Sequence, residues 1–178
     1  LMNYPLRTAL LNYLRGGDAD EFREAVETLR ENYPKEAFYS CMNLLGTHDT
    51  PRLLTMLGSD QLPKERKDQA AFKLSPQQRS TALALLRCAE TILYAFPGSP
   101  MLYYGDEAGM EGHKDPFNRR TFPWGKEDPI LQSHFKALGA IRKREEVLRL
   151  GDISFFEASD RRLGFTRSLN GRKFKIYV

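Results

Sequence analysis

Two short, mostly apolar runs, each shut off by a glycine, set the strongest limit on the fold. Met42-Asn43-Leu44-Leu45 ends at Gly46, and Met101-Leu102-Tyr103-Tyr104 ends at Gly105. Bulky runs without polar alternation suit strands covered on both faces, as in a parallel sheet. About 55 residues separate them, enough for a crossover helix and far too many for a hairpin. That helix is legible in the sequence. Ser75-Pro76-Gln77-Gln78 supplies an N-cap, a proline at N1 and a glutamine at N3. Ala82, Leu85, Leu86, Ala89, Ile92, Leu93 and Phe96 follow at helical spacing, and Pro97-Gly98 ends the pattern.

The flanking chain extends the alternation. Leu6, Leu10, Leu11 and Leu14 predict a helix stopped by Gly16-Gly17. Asp18 and Glu21 open a second, running towards Tyr33 with Phe22, Val26 and Leu29 inward, and a short amphipathic turn through Phe38 follows Pro34. Thr50-Pro51 reads as the N-cap and first residue of a further helix, and 58–74 as a polar surface excursion. Residues 106–125 form a long loop, of a length that is usually functional. Asp128-Pro129 starts a helix with Leu131, Phe135, Leu138 and Ile141 on its inner face. Beyond Leu150-Gly151 the pattern is that of strands, at 153–156, 163–167 and 174–178, joined by turns at Asp160-Arg161 and Asn170-Gly171. The expected architecture is α/β with a parallel sheet, then antiparallel β. The last strands are too few for an independent sheet domain, so the chain reads as incomplete at both ends.

Composition narrows the function classes. The 178 residues are 41% hydrophobic and 28% charged, which excludes disorder and collagen. No apolar run reaches the roughly 20 residues of a membrane span, so no membrane partner is expected. Cys41 and Cys88 are too few for a disulfide framework and lack metal-ligand spacing; they read as small buried hydrophobes, with a lean towards a cytoplasmic setting. The net charge of +4 invites a nucleic-acid reading. However, the basic residues are mixed with acids, as in Arg142-Lys143-Arg144-Glu145-Glu146, and no nucleic-acid-binding motif accompanies them. No nucleic-acid partner is expected.

Chemistry in parallel βα folds sits on the loops leaving the carboxyl ends of strands. After the first run comes Thr47-His48-Asp49-Thr50-Pro51-Arg52. A carboxylate beside an imidazole can hydrogen-bond neighbouring sugar hydroxyls or steady a developing cation; equally, Asp49 could cap a helix and His48 pack. After the second run, Asp115 and Arg119 lie on a loop with glycines and aromatics, and Trp124 lies beyond. Carboxylate and guanidinium groups bracket hydroxyls while an aromatic face covers the apolar side of a sugar ring. An Asp115–Arg119 ion pair holding the loop is the plainer alternative. His113 and His134 have no partners at ligand spacing and read as structural or surface residues.

Together these loops carry a family resemblance. Segment 43–52 resembles the fourth conserved region of glycoside hydrolase family 13, the α-amylase family. Met2-Asn3-Tyr4-Pro5-Leu6, Tyr103-Tyr104-Gly105-Asp106-Glu107-Ala108-Gly109-Met110, Asp115-Pro116 and Arg119-Arg120 are similar to its neopullulanase, cyclomaltodextrinase and maltogenic amylase branch. Thr47 stands where serine is commoner and keeps the hydroxyl. The resemblance implies the C-terminal portion of a (β/α)8 TIM barrel over 1–148. Leu1-Met2-Asn3 then lies at the sixth strand, 42–45 at the seventh and 101–104 at the eighth, and 149–178 begin an antiparallel β-sandwich domain.

The resemblance also implies roles. Asp49 corresponds to the supporting catalytic carboxylate, His48 to a histidine on the same sugar, and Asp115 and Arg119 to residues that bind the neighbouring glucose. The expected function is part of a retaining hydrolase of α-1,4 bonds, with α-1,6 bonds a further expectation, in maltooligosaccharides, cyclomaltodextrins or pullulan. No cofactor and no metal are implied. The nucleophile and the acid/base that such a mechanism needs belong to segments not represented here, so the chain is expected to be inactive alone. A non-catalytic glucan-binding module is the competing expectation. Open edges of a partial barrel would pair with another copy, so self-association is expected.

Overall fold

The computed structural model describes all of residues 1–178. The chain divides into two compact units. One comprises Leu1–Leu44, Cys88–Met101 and Ala137–Val178; the other comprises Leu45–Arg87 and Leu102–Lys136.

In the first unit, β1 (Met42–Leu44) and β2 (Ser99–Met101) pair in parallel, Met42 opposite Ser99 and Leu44 opposite Met101. Met2 bridges Met42, also in parallel. The Met42 amide donates to the Leu1 carbonyl at 2.8 Å and its carbonyl accepts from the Asn3 amide at 2.9 Å, while the Ser99 amide donates to the Cys41 carbonyl at 2.8 Å. Because successive residues of a strand point their backbone groups to opposite edges, residues 1–3 and β2 flank β1 on its two sides. Strands of three residues make few ladder bonds, and buried amides extend them. Asn3 Nδ2 donates to Asn43 Oδ1 at 2.9 Å, and Asn43 Nδ2 donates to the Pro97 carbonyl at 2.6 Å. The one polar residue of the first apolar run therefore crosslinks the sheet. Gly98 (φ +95°) lies where any Cβ would meet the Cys41 carbonyl, so only glycine fits between α6 (Pro76–Ala95) and β2.

Helices α1 (Tyr4–Leu14), α2 (Ala19–Asn32) and α3 (Lys35–Tyr39) form as their patterns predict. Asn3 accepts from the Leu6 amide at 3.2 Å, and Asp18 accepts from Asp20 at 2.7 Å. After α8 (Glu146–Leu150), strands β3 (Asp152–Ser159), β4 (Arg162–Leu169) and β5 (Arg172–Tyr177) make an antiparallel sheet in chain order. Asn170 (φ 49°) and Gly171 (φ 81°) form the tight turn between β4 and β5. The sheet shares its core with the helices. Phe22 lies 5.8 Å from Tyr13, 6.0 Å from Phe96 and 6.4 Å from Phe155, and Phe165 lies 5.5 Å from Phe96.

Two arginines finish α6. Arg142 donates to the carbonyls of Tyr94 (2.6 Å), Phe96 (3.1 Å) and Gly98. Arg167, fully buried, donates to those of Ala95 (2.5 Å), Leu148 (3.0 Å) and Gly151 (2.6 Å). The Tyr94, Ala95 and Phe96 carbonyls have no partner within α6, and cations at a helix C-terminus also complement its dipole. Burial first, then the neighbouring Arg142 charge, pushes the Arg167 guanidinium down to about 10.

The second unit holds α4 (Leu53–Gly58), α5 (Arg66–Ala71), the loop over 102–128 and the start of α7 (Pro129–Arg144). Its organising group is Arg52, which has no exposed surface. The guanidinium carbon lies 4.3 Å from the Tyr103 ring centroid and 4.5 Å from that of Tyr104; Nη1 donates to the Tyr104 carbonyl and lies 3.5 Å from Asp106 Oδ1. Gly46 completes this arrangement, since a Cβ there would overlap the Asp106 carboxylate. Burial pushes the Asp106 carboxyl up to about 7, against the pull of Arg52 and with a smaller push from Glu107.

Four expectations are corrected. The second strand spans Ser99–Met101 rather than 101–104, because Tyr103 and Tyr104, packed edge to face on each other, turn their rings to a guanidinium instead of extending the ladder. The first stops at Leu44, one residue early. The helix expected from Thr50-Pro51 begins at Leu53. The Asp49 amide is taken by Thr47 Oγ1 at 3.1 Å and the Arg52 amide by the Gly112 carbonyl at 2.9 Å, which holds 47–52 as a turn. Along α7, Leu131 and Phe135 are buried but Ile141 is exposed, so the apolar stripe is shorter than the spacing implied. The polar excursion over 58–74 does contain a surface helix, α5, with no buried residue.

Two tests follow from these packings. Arg167→Ala strands the buried carbonyls of Ala95 and Gly151, Leu148 being held by Arg142 as well, and should lower unfolding stability by about 2–4 kcal/mol in denaturant titration. For Asp106, the native state keeps a proton that the unfolded chain releases near 3.8. Wild-type stability should therefore fall as pH rises from 3.8 to about 7, and Asp106→Asn should abolish that slope in thermal unfolding.

Candidate functional site

The turn after β1 presents the first pair. Thr47 is buried and lies 3.4 Å from Thr50 through their hydroxyls, so the turn is closed from within. His48 and Asp49 are its outward residues. His48 Nε2 lies 3.2 Å from Asp49 Oδ1, and their side chains are 54% and 60% exposed. Neither caps a helix nor packs in a core, so both plainer alternatives fail for this pair. An exposed carboxylate with an imidazole at hydrogen-bond range offers one acceptor group and one adaptable donor or acceptor to the same ligand.

The second pair lies on the loop after β2. Arg119 Nε is 3.0 Å from Asp115 Oδ1, with both side chains half exposed. The Asp115–Pro116 peptide is cis. Successive turns shape the segment, with the Phe117 amide donating to the Lys114 carbonyl at 2.9 Å and the Arg119 amide to the Pro116 carbonyl at 3.0 Å. The salt-bridge alternative is thus realised as a contact, but its exposure leaves the outer lone pairs and guanidinium donors open to a ligand.

A residue that sequence reasoning passed over brings the two pairs together. Asn118, with no exposed surface, donates from Nδ2 to the His48 carbonyl at 2.7 Å and the Thr50 carbonyl at 2.8 Å. It adjoins Arg119 and lies three residues beyond Asp115, so one amide fixes the His48–Asp49 turn against the segment carrying the second pair. The Arg52 amide bond to Gly112 and the Gly112 amide bond to Thr55 Oγ1 (2.9 Å) reinforce the same junction. Asn118 carries no local signal; only burial of a polar residue, visible in three dimensions, reveals its part.

The remaining candidates fall outside this constellation. His113 is buried, its Nδ1 accepting from the Lys114 amide at 2.7 Å, and burial lowers its pKa. His134 is half-buried, 3.3 Å from the Arg87 carbonyl. Both are structural. Trp124 is 81% exposed and leans on Phe122 at 4.6 Å, a flat apolar face on the same loop. No three His, Cys, Asp or Glu side chains come together as a metal site. No helix is long and apolar enough to cross a membrane.

Comparison with known proteins identifies the family. The family model of the alpha-amylase catalytic domain matches residues 1–150. An amylopullulanase of Thermoanaerobacter thermohydrosulfuricus is 38% identical over 97% of the chain and 12% of its own length. A cyclomaltodextrinase of Geobacillus thermopakistaniensis is 38% identical over 90% of the chain and 24% of its own length. The solved native form of the Nostoc punctiforme debranching enzyme superposes with a TM-score of 0.82 at 26% identity, over 99% of this chain and 36% of that one. The chain thus spans from about an eighth to about a third of these three proteins. It belongs to the α-amylase family, glycoside hydrolase family 13, with residues 1–150 as catalytic-domain sequence.

Proposed function

We propose that the chain supplies the substrate-holding side of a retaining α-glucan hydrolase. In this reading the protein acts on α-1,4 bonds, and on α-1,6 bonds as in debranching relatives, of maltooligosaccharides, cyclomaltodextrins or pullulan. Residues 1–148 form the end of a (β/α)8 barrel and 149–178 the start of a C-terminal β domain. The observation that carries the proposal is the exposed His48–Asp49 pair, 3.2 Å apart, on a turn that Asn118 binds to the Asp115–Arg119 segment.

The chemistry follows from charge. Cleavage of a glucosidic bond passes through an oxocarbenium-like state that flattens the ring and makes its hydroxyls more acidic. Asp49 accepts hydrogen bonds from adjacent hydroxyls, and those bonds strengthen as the ring gains positive charge, which favours the transition state over the ground state. His48 steadies the same sugar from the neighbouring position. Asp115 and Arg119 bracket hydroxyls of the next glucose, fixing register along the glucan. Asp49 is the supporting carboxylate here, and the nucleophile and acid/base are assigned to other parts of the same catalytic domain. Residues 1–178 alone are then inactive.

In the full-length enzyme, Asp49→Asn should lower kcat on maltooligosaccharides by about 10²–10⁴-fold, a loss of transition-state stabilisation. Unchanged turnover would remove Asp49 from the mechanism. Asn118→Ala should raise KM and lower kcat together by about tenfold, since it loosens the turn without touching substrate. An effect on thermal stability alone would reduce Asn118 to a structural residue.

A further inference from the structure

A cavity of about 420 Å³ lies in the second unit, lined by Lys73, Arg79, Arg120 and Lys126 with Glu111 as its one acid. It contains none of His48, Asp49, Asp115 or Arg119. Its volume falls in the range of small-ligand sites. Glu111 is already committed: Oε1 lies 2.5 Å from Arg79 Nη1, and Oε2 accepts the Leu74 amide at 2.9 Å. Arg79 also donates to the Gly109 carbonyl at 3.2 Å, so this pair forms a fixed, neutral part of the wall. Arg120 makes a single guanidinium bond, to the Ala70 carbonyl at 2.6 Å, and neither Lys73 nor Lys126 has a carboxylate partner.

Three uncompensated cations therefore line one concave space. Crowding like charges around a cavity is unfavourable until an anion enters, and concave walls concentrate the resulting field. A neutral glucan would need acceptors and donors in similar number, whereas this wall is almost wholly donating. Lysine ammonium groups and a guanidinium fork match the oxygens of a tetrahedral dianion, and the Thr121 hydroxyl adds an adaptable partner. The cations rim an open hollow instead of forming a stripe, which favours a small anion over a nucleic-acid backbone.

We propose that this cavity is a second binding site, independent of the Asp49 turn, for a phosphoryl group or similar tetrahedral oxyanion, either free or carried on a small saccharide. The test is calorimetric titration of the full-length protein with inorganic phosphate and, separately, with glucose 6-phosphate. Both should bind saturably with Kd of about millimolar or tighter. Tighter binding of the sugar phosphate would identify a saccharide-borne phosphoryl group, and equal binding would identify free phosphate. Lys73→Gln combined with Lys126→Gln should weaken both by at least about tenfold. Both lysines are exposed, and an unchanged melting temperature would exclude a folding defect. Asp49→Asn should leave phosphate binding intact, so failure of the glycosidase reading would not be mistaken for failure of this one. Absence of saturable phosphate binding, or affinity unaffected by removing the two lysines, would overturn the proposal.

Discussion

The second unit is organised around a charge placed where charge is expensive. The Arg52 side chain has lost all contact with water, and Nε and Nη2 find no hydrogen-bond partner. Two tyrosine rings and one carbonyl take the place of solvent, with the Asp106 carboxyl at 3.5 Å. Each of those partners comes from the few residues following β2. The turn after β1 and the loop after β2 are therefore joined by a contact that tolerates little substitution: lysine would lack the planar fork, and an apolar residue would leave Asp106 unpaired. A guanidinium packed against an edge-to-face tyrosine pair also explains why two tyrosines end what otherwise reads as a strand.

On this base the groups of the candidate site can be exposed without being loose. His48, Asp49, Asp115 and Arg119 are each about half open to solvent. The buried groups beneath them (Thr47, Asn118 and Arg52) make the positioning bonds. The division suits the proposed role: a group proposed to meet a polyhydroxylated ligand needs free lone pairs, and orientation is then imposed from below through backbone carbonyls. Asn118 does this with a single nitrogen that reaches two carbonyls of the same turn.

The helices, the hairpin at Asn170-Gly171 and the parallel pairing were legible because each rests on local chemistry: caps, glycine at positive φ, and apolar spacing. The family could be read from the loops because Asn43 to Arg52 and Tyr103 to Met110 combine unusual residues in a fixed order. Tertiary commitments were not legible. Nothing adjacent to Tyr103 announces a guanidinium fifty residues earlier, so a strand was expected where a cation–π contact formed. Likewise Thr50-Pro51 has good capping chemistry, but hydroxyl and amide bonds from Thr47 and to Gly112 held it as a turn. Asn43 in an apolar run and Asn118 in a loop look alike in sequence, yet one crosslinks a sheet and the other anchors a site.

The end of α6 has a temporal side. Its terminal carbonyls are satisfied by Arg142 and Arg167, which lie 48 and 72 residues beyond the carbonyls of Tyr94 and Ala95 that they bind. During synthesis the helix can wind as soon as its own residues emerge, but its final turn and the step into β2 must wait for a guanidinium from the β4 strand. Late-arriving chain thus locks early-arriving chain, and the antiparallel sheet acts as the clasp on the parallel one.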